Sequence, residues 1–151
     1  MIKRRIRIRN RRRSKIRIRS RTGMDAEDVW FDHEKLEVYQ EAVAFVAWLS
    51  VLLDETLRCG EVKDQLDRAS TSIPLNIAEG NGKYSPKDRC RFFDIAHGSA
   101  LECAAGLDVL VAKAKLSLER IRPGKERLQR IVRMLMGLIK RNSTREYDKS
   151  P

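Results

Sequence analysis

Residues 62–82 read Val62-Lys63-Asp64-Gln65-Leu66-Asp67-Arg68-Ala69-Ser70-Thr71-Ser72-Ile73-Pro74-Leu75-Asn76-Ile77-Ala78-Glu79-Gly80-Asn81-Gly82, and the apolar spacing in this stretch decides the fold class. Val62, Leu66, Ala69, Ile73 and Ile77 recur at intervals of three and four, the period of one helix face. Pro74 deletes one backbone hydrogen bond, but Ile73 and Ile77 keep the stripe running past it, which predicts a kinked helix rather than two short ones. The hydroxyls of Ser70, Thr71 and Ser72 are near enough in sequence to bond the carbonyl that the proline frees. Gly80-Asn81-Gly82 supplies the stop.

Upstream, Leu36, Tyr39, Val43, Val46, Leu49, Leu53 and Leu57 step by three and four, with Glu34, Glu37 and Glu41 on another face and Gly60 at the end. Downstream, Ser85-Pro86-Lys87-Asp88 has the composition of a helix start. Serine caps, proline suits the first helical position, and aspartate favours the positive end of the helix. The helix it opens carries Phe92, Ile95, Ala96, Ser99, Cys103, Leu107, Leu110 and Val111. Gly98 and Gly106 lie inside it among alanines. Each costs about 1 kcal/mol against alanine, so close approach of another backbone is expected there, from this chain or from a second copy. A last helix, from about Pro123 to Arg141, shows Leu128, Ile131, Leu135, Leu138 and Ile139. Helices throughout, with short connections, define an all-α, antiparallel up-down four-helix bundle, roughly 35 Å long.

Charge divides the chain differently. Met1 to Gly23 hold twelve Lys or Arg and no acid, out of 32 basic and 21 acidic residues in the whole chain, so the formal net charge of +11 arises in this arm and the rest is near neutral. Within the remainder, Met24 to Glu79 hold 4 basic against 13 acidic residues, and Gly80 to Pro151 hold 16 against 8. An acid-free basic block with five isoleucines buries too little to offset its ordering entropy, which predicts a disordered, low-complexity N-terminal arm. Three readings of it stand side by side: an arm that grips nucleic-acid phosphates, a targeting peptide, or sequence upstream of a true start at Met24. The second lacks both a secretory apolar run and a helical stripe. The expected organisation is an arm over 1–23, a bundle over 24–145 and a tail over 146–151. No stretch approaches the roughly 20 apolar residues of a membrane span, the longest apolar-rich run being Ala42 to Leu53, interrupted by Ser50. Cys59, Cys90 and Cys103 show no Cys-x-x-Cys spacing, so neither a disulfide framework nor a metal site is indicated, and the thiols fit a cytoplasmic protein.

Gln65 to Gly80, followed by Arg91-Phe92-Phe93-Asp94-Ile95-Ala96-His97-Gly98-Ser99-Ala100-Leu101-Glu102, resembles the 23S rRNA intervening-sequence family, also called S23 ribosomal proteins. Ser72 to Gly80 is close to a signature for that family, and the similarity covers about Phe31 to Arg141. What the resemblance implies is a bacterial, cytoplasmic four-helix bundle that assembles as a ring of five, without known catalysis. Founding members are encoded inside insertions in 23S rRNA genes. Related bundles accompany diversity-generating retroelements, binding nucleic acid and a reverse transcriptase.

Other chemistry is weakly supported. Asp94, His97 and Ser99 lie close in sequence, but two residues along a helix turn Ser99 about 200° away from His97, so they do not form a triad. Gly80-Asn81-Gly82-Lys83 lacks the glycine and hydroxyl of a phosphate loop, having Ile77 and Tyr84 in their places. Arg68, Ser72, Pro74, Asn76, Glu79, Gly80, Arg91 and Glu102 are expected to form a structural signature, a buried polar network joining the second and third helices at the proline. Arg127, Arg130 and Arg133, followed by Lys140 and Arg141, mark the last helix as a solvated face, a phosphate-tracking stripe, or an interface that meets the Glu34/Glu37/Glu41 face of a neighbouring copy. The expected protein is a non-enzymatic, homo-oligomeric binding or scaffold protein needing no cofactor, with RNA or DNA as its partner. The alternative is an accessory subunit whose partner is a protein such as a reverse transcriptase.

Overall fold

The computed structural model describes residues 29–56 and 60–143. The basic arm, the start at Met24 and the tail from residue 146 lie outside these residues, as do Leu57 and Cys59. After a 3-10 turn at Asp32–Lys35 come α1 (Glu37–Thr56), α2 (Glu61–Asn81), α3 (Pro86–Ala112) and α4 (Leu118–Asn142). Side-chain bonds give their directions. Glu55 near the end of α1 meets Arg120 near the start of α4 at 2.9 Å, Ser72 meets Ser99 across α2 and α3, and Cys90 at the start of α3 reaches Ile139 near the end of α4. Each helix is antiparallel to its neighbours, α1 packs on both α2 and α4, and the fold is the up-down bundle expected.

The stripes of α2 and α4 lie where their periodicity places them, with Leu66, Ala69, Ile73 and Ile77 buried on one helix and Leu128, Ile131, Leu135 and Ile139 on the other. In α1 the buried face is rotated. Val38, Ala42, Phe45, Leu49, Leu52 and Leu53 form it, while Val43 and Val46 are half-buried. This helix is apolar around most of its circumference, so several stripes satisfy the period and packing chooses among them.

Helix ends follow local chemistry, with one difference from the sequence reading. Ser85 accepts from the Asp88 amide at 3.4 Å and Pro86 opens α3, as expected. The last helix, by contrast, starts at Leu118 rather than Pro123. Ser117 caps it by accepting from the Arg120 amide, and buried Ile121 anchors the extra turn, so Pro123 sits inside at the loss of one bond. α2 ends within Gly80-Asn81-Gly82 as expected, with Gly82 as the cap, and Gly80 has a different part. It lies inside the last turn of α2, buried, where a Cβ would come within 2.8 Å of the Phe93 ring. Gly60 stands immediately before α2 with φ +150°, a conformation that favours glycine. α2 runs through Pro74 unbroken.

By length and composition α3 is long and apolar enough to cross a membrane, contrary to the reading that no stretch comes near this. The reason is its alanine and cysteine content, which raises hydropathy without bulk. In the bundle, Ala96, Ala100, Cys103, Leu107 and Leu110 lie in the core.

Candidate functional site

The proline-centred signature holds a smaller cluster than the network expected. Half-buried Asn76 donates to the carbonyl of Ser72 at 2.8 Å and to its hydroxyl at 3.0 Å, and that hydroxyl lies 2.9 Å from Ser99 Oγ on α3. Ser70 turns its hydroxyl to the Asp67 carbonyl. The charged members stay outside. Glu79 pairs with Lys83 four residues on, Glu102 accepts from Gln65, and exposed Arg68 and Arg91 enter no ion pair among the described residues. Arg68, Glu79, Arg91 and Glu102 are all exposed, so these charges lie outside the seam between α2 and α3. Asn76→Leu should therefore lower stability by about 1 kcal/mol, the low end for a half-buried amide, and a urea midpoint equal to that of the unaltered protein would show the cluster to be idle.

A second polar cluster lies between α1 and α4. Glu41 is only 5% exposed, and its Oε1 accepts from Arg127 at 2.9 Å and from Arg130 at 2.6 Å. The charge pairing expected between copies is thus made inside one chain for these residues. Two facts produce it. Arg127 and Arg130 sit three apart on the side of α4 that faces α1, and Glu41 lies beside the α1 core residues Val38, Ala42 and Phe45. The expected acidic face does not form, because Glu34 bends onto its own backbone and Glu41 is buried. Of the basic stripe, Arg133, Lys140 and Arg141 remain on the exposed side of α4.

Elsewhere the structure removes chemistry the sequence left thinkable. Ser99 bonds Ser72 instead of facing His97, and Lys83 is engaged with Glu79 and lies 4.8 Å over the Phe92 ring. Burial pushes the Cys103 thiol up to about 12, which makes it unreactive at neutral pH. No group of three potential metal ligands occurs among the described residues.

The outward side of α3 carries exposed apolar side chains among the charged Arg91, Glu102 and Asp108. Ile95, Leu101 and Val109 are exposed along it, separated by Gly98 and Ala105, and Leu75 of α2 stands exposed alongside. Of the glycines in α3, Gly106 is explained by this chain, since a Cβ there would meet Leu66 Cδ2 at 2.6 Å. Gly98 is not, having nothing within 4 Å. Sequence reasoning saw the small residues but could not tell which of them face inward.

These features belong to a known class of bundle. Residues 34–137 match the family model described as 23S rRNA-intervening sequence protein, and the chain belongs to that family. Among solved structures it is similar to a protein of unknown function from the S23 ribosomal protein family of Bacteroides thetaiotaomicron VPI-5482, at 24% identity and TM-score 0.64, over 68% of this chain and 98% of that one. No curated protein matches the chain.

Proposed function

We propose that this protein works without catalysis, as a self-assembling scaffold in which each copy presents the outward face of α3 to the next. The observation that supports this is the combination at the middle of α3: exposed Ile95, Leu101 at 49% and Val109 around a glycine with open space above it. An exposed mid-helix glycine costs about 1 kcal/mol in the isolated protomer, and a neighbouring backbone lying against it gives that cost a use. A ring of five is the assembly that the family resemblance implies. Its partner is RNA or DNA in the bacterial cytoplasm, held in the first place by the twelve cations of the N-terminal arm. Sedimentation velocity at micromolar concentration should give an oligomer, and Gly98→Arg should give a folded monomer with unaltered far-ultraviolet dichroism. An unaltered chain that sediments as a monomer would end the self-assembly reading and leave the α3 face to a different protein, such as a polymerase.

A further inference from the structure

The most exposed aromatic side chains gather at one end of the bundle. There α1 begins, α2 ends, α3 begins and α4 ends. Tyr84, in the connection between α2 and α3, is fully exposed, Trp30 is 82% exposed and Phe31 62%. The remaining exposed large side chains are aliphatic and lie along the helices or at the far end.

These rings stand on braced backbone. Arg89 donates from Nε to the Lys83 carbonyl at 2.6 Å and from Nη2 to that of Asn81 at 3.5 Å, tying the connection under Tyr84 to α3. The amides of Trp30 and Phe31 both donate to Glu34 Oε2, at 2.6 and 2.9 Å, and His33 stacks on Phe31 while meeting Tyr39 edge-on. Backbone braced in this way needs little further ordering when a flat ligand stacks on the side chains it carries.

The surroundings select the ligand. Lys87, Arg91 and Arg141 are exposed at this end. Of the acids at this end among the described residues, Asp32 is bonded to Lys35, Glu79 to Lys83, and Glu34 to backbone, leaving Glu37 and Asp88 in the opposing column. Aromatic faces interleaved with cations are the recognition chemistry of unpaired bases on a phosphate chain. A protein-docking patch would instead centre on aliphatic side chains, and the exposed ones lie elsewhere, along the helices and at the far end.

We infer that this end of the bundle binds single-stranded nucleic acid, with Tyr84 and Trp30 stacking bases and Lys87 and Arg91 contacting phosphates. The inference rests on the nucleic-acid part of the reading above, and Arg91, one turn before Ile95, borders the α3 face presented to the next copy.

The test uses the full chain, a fluorescein-labelled uridine 12-mer, the same sequence as a duplex, and inorganic polyphosphate as a probe for charge alone. Single-stranded RNA should bind more tightly than the duplex and quench tryptophan fluorescence. Trp30→Ala with Tyr84→Ala should weaken single-strand binding at least tenfold, leave polyphosphate affinity unchanged, and be rescued by phenylalanine at both positions. Lys87→Glu with Arg91→Glu should reduce the salt slope by about 1.4, two contacts at about 0.7 each for a single strand. Equal loss of RNA and polyphosphate in the alanine variant, or no loss of either, overturns the stacking site. Absence of any RNA binding by the unaltered chain overturns the nucleic-acid reading itself and reassigns this end to a protein partner. Sedimentation of the same samples reports assembly separately.

Discussion

Replacing Arg127 and Arg130 together by methionine should destabilise the bundle by about 3 kcal/mol, because it leaves the Glu41 carboxylate buried without a partner. The figure is at the low end for a broken buried pair, since the guanidinium side chains are partly in water and their loss frees little strain. Methionine keeps the aliphatic stem, so the packing of α4 on α1 is largely retained and the change reads charge. A urea titration with an unchanged m-value is the measurement. Adding Glu41→Leu to the double variant should restore most of the loss, because an apolar trio of similar volume no longer carries a buried charge. If the double variant is as stable as the unaltered chain, Glu41 reaches water in solution and the cluster is peripheral. This geometry also changes how assembly is to be tested. Reversing Arg127, Arg130 and Arg133 to Glu together would place two further carboxylates against Glu41 and unfold the protomer, so loss of an oligomer in that variant would say nothing about an interface. Arg133→Glu alone, on the exposed side of α4, is the informative reversal.

Helical periodicity carries the fold class because four amphipathic segments joined by short turns have few ways to bury their stripes. Its resolution fails where a helix is apolar on several sides, as around Val43 and Val46, or where a start is set by one hydroxyl, as at Ser117. The candidate sites were legible in composition and not in pairing. Arg127 and Arg130 could be read as a basic stripe, but the partner is 86 and 89 residues away, and no local pattern marks Glu41 as buried while Glu37 is exposed. Tyr84 and Trp30 were silent for the opposite reason. Exposure of a lone aromatic in a turn is decided by what fails to pack over it, and Trp48, the other tryptophan, lies half-buried beside Phe45.

Glycines make the same point with a measurable consequence. Gly124 of α4 lies against the face of the Trp48 ring so closely that a Cβ would overlap the ring's outer carbons. Nothing in the local sequence, Arg122-Pro123-Gly124-Lys125, distinguishes it from Gly137 thirteen residues later, which has open space around its Cα. Gly124→Val should therefore destabilise the protein by about 3 kcal/mol, since the added side chain overlaps the Trp48 ring, which packs beside Phe45. Gly137→Ala should do the reverse, stabilising by about 0.5–1 kcal/mol through helix propensity alone. Thermal melts of the two variants, read by far-ultraviolet dichroism, decide the matter, and the size of the Gly124 effect can be traced to its cause. Combining Gly124→Val with Trp48→Leu removes the rigid ring and should recover part of the loss, whereas a loss that persists in the double variant would place the strain in the helix backbone next to Pro123 rather than at the contact between α1 and α4.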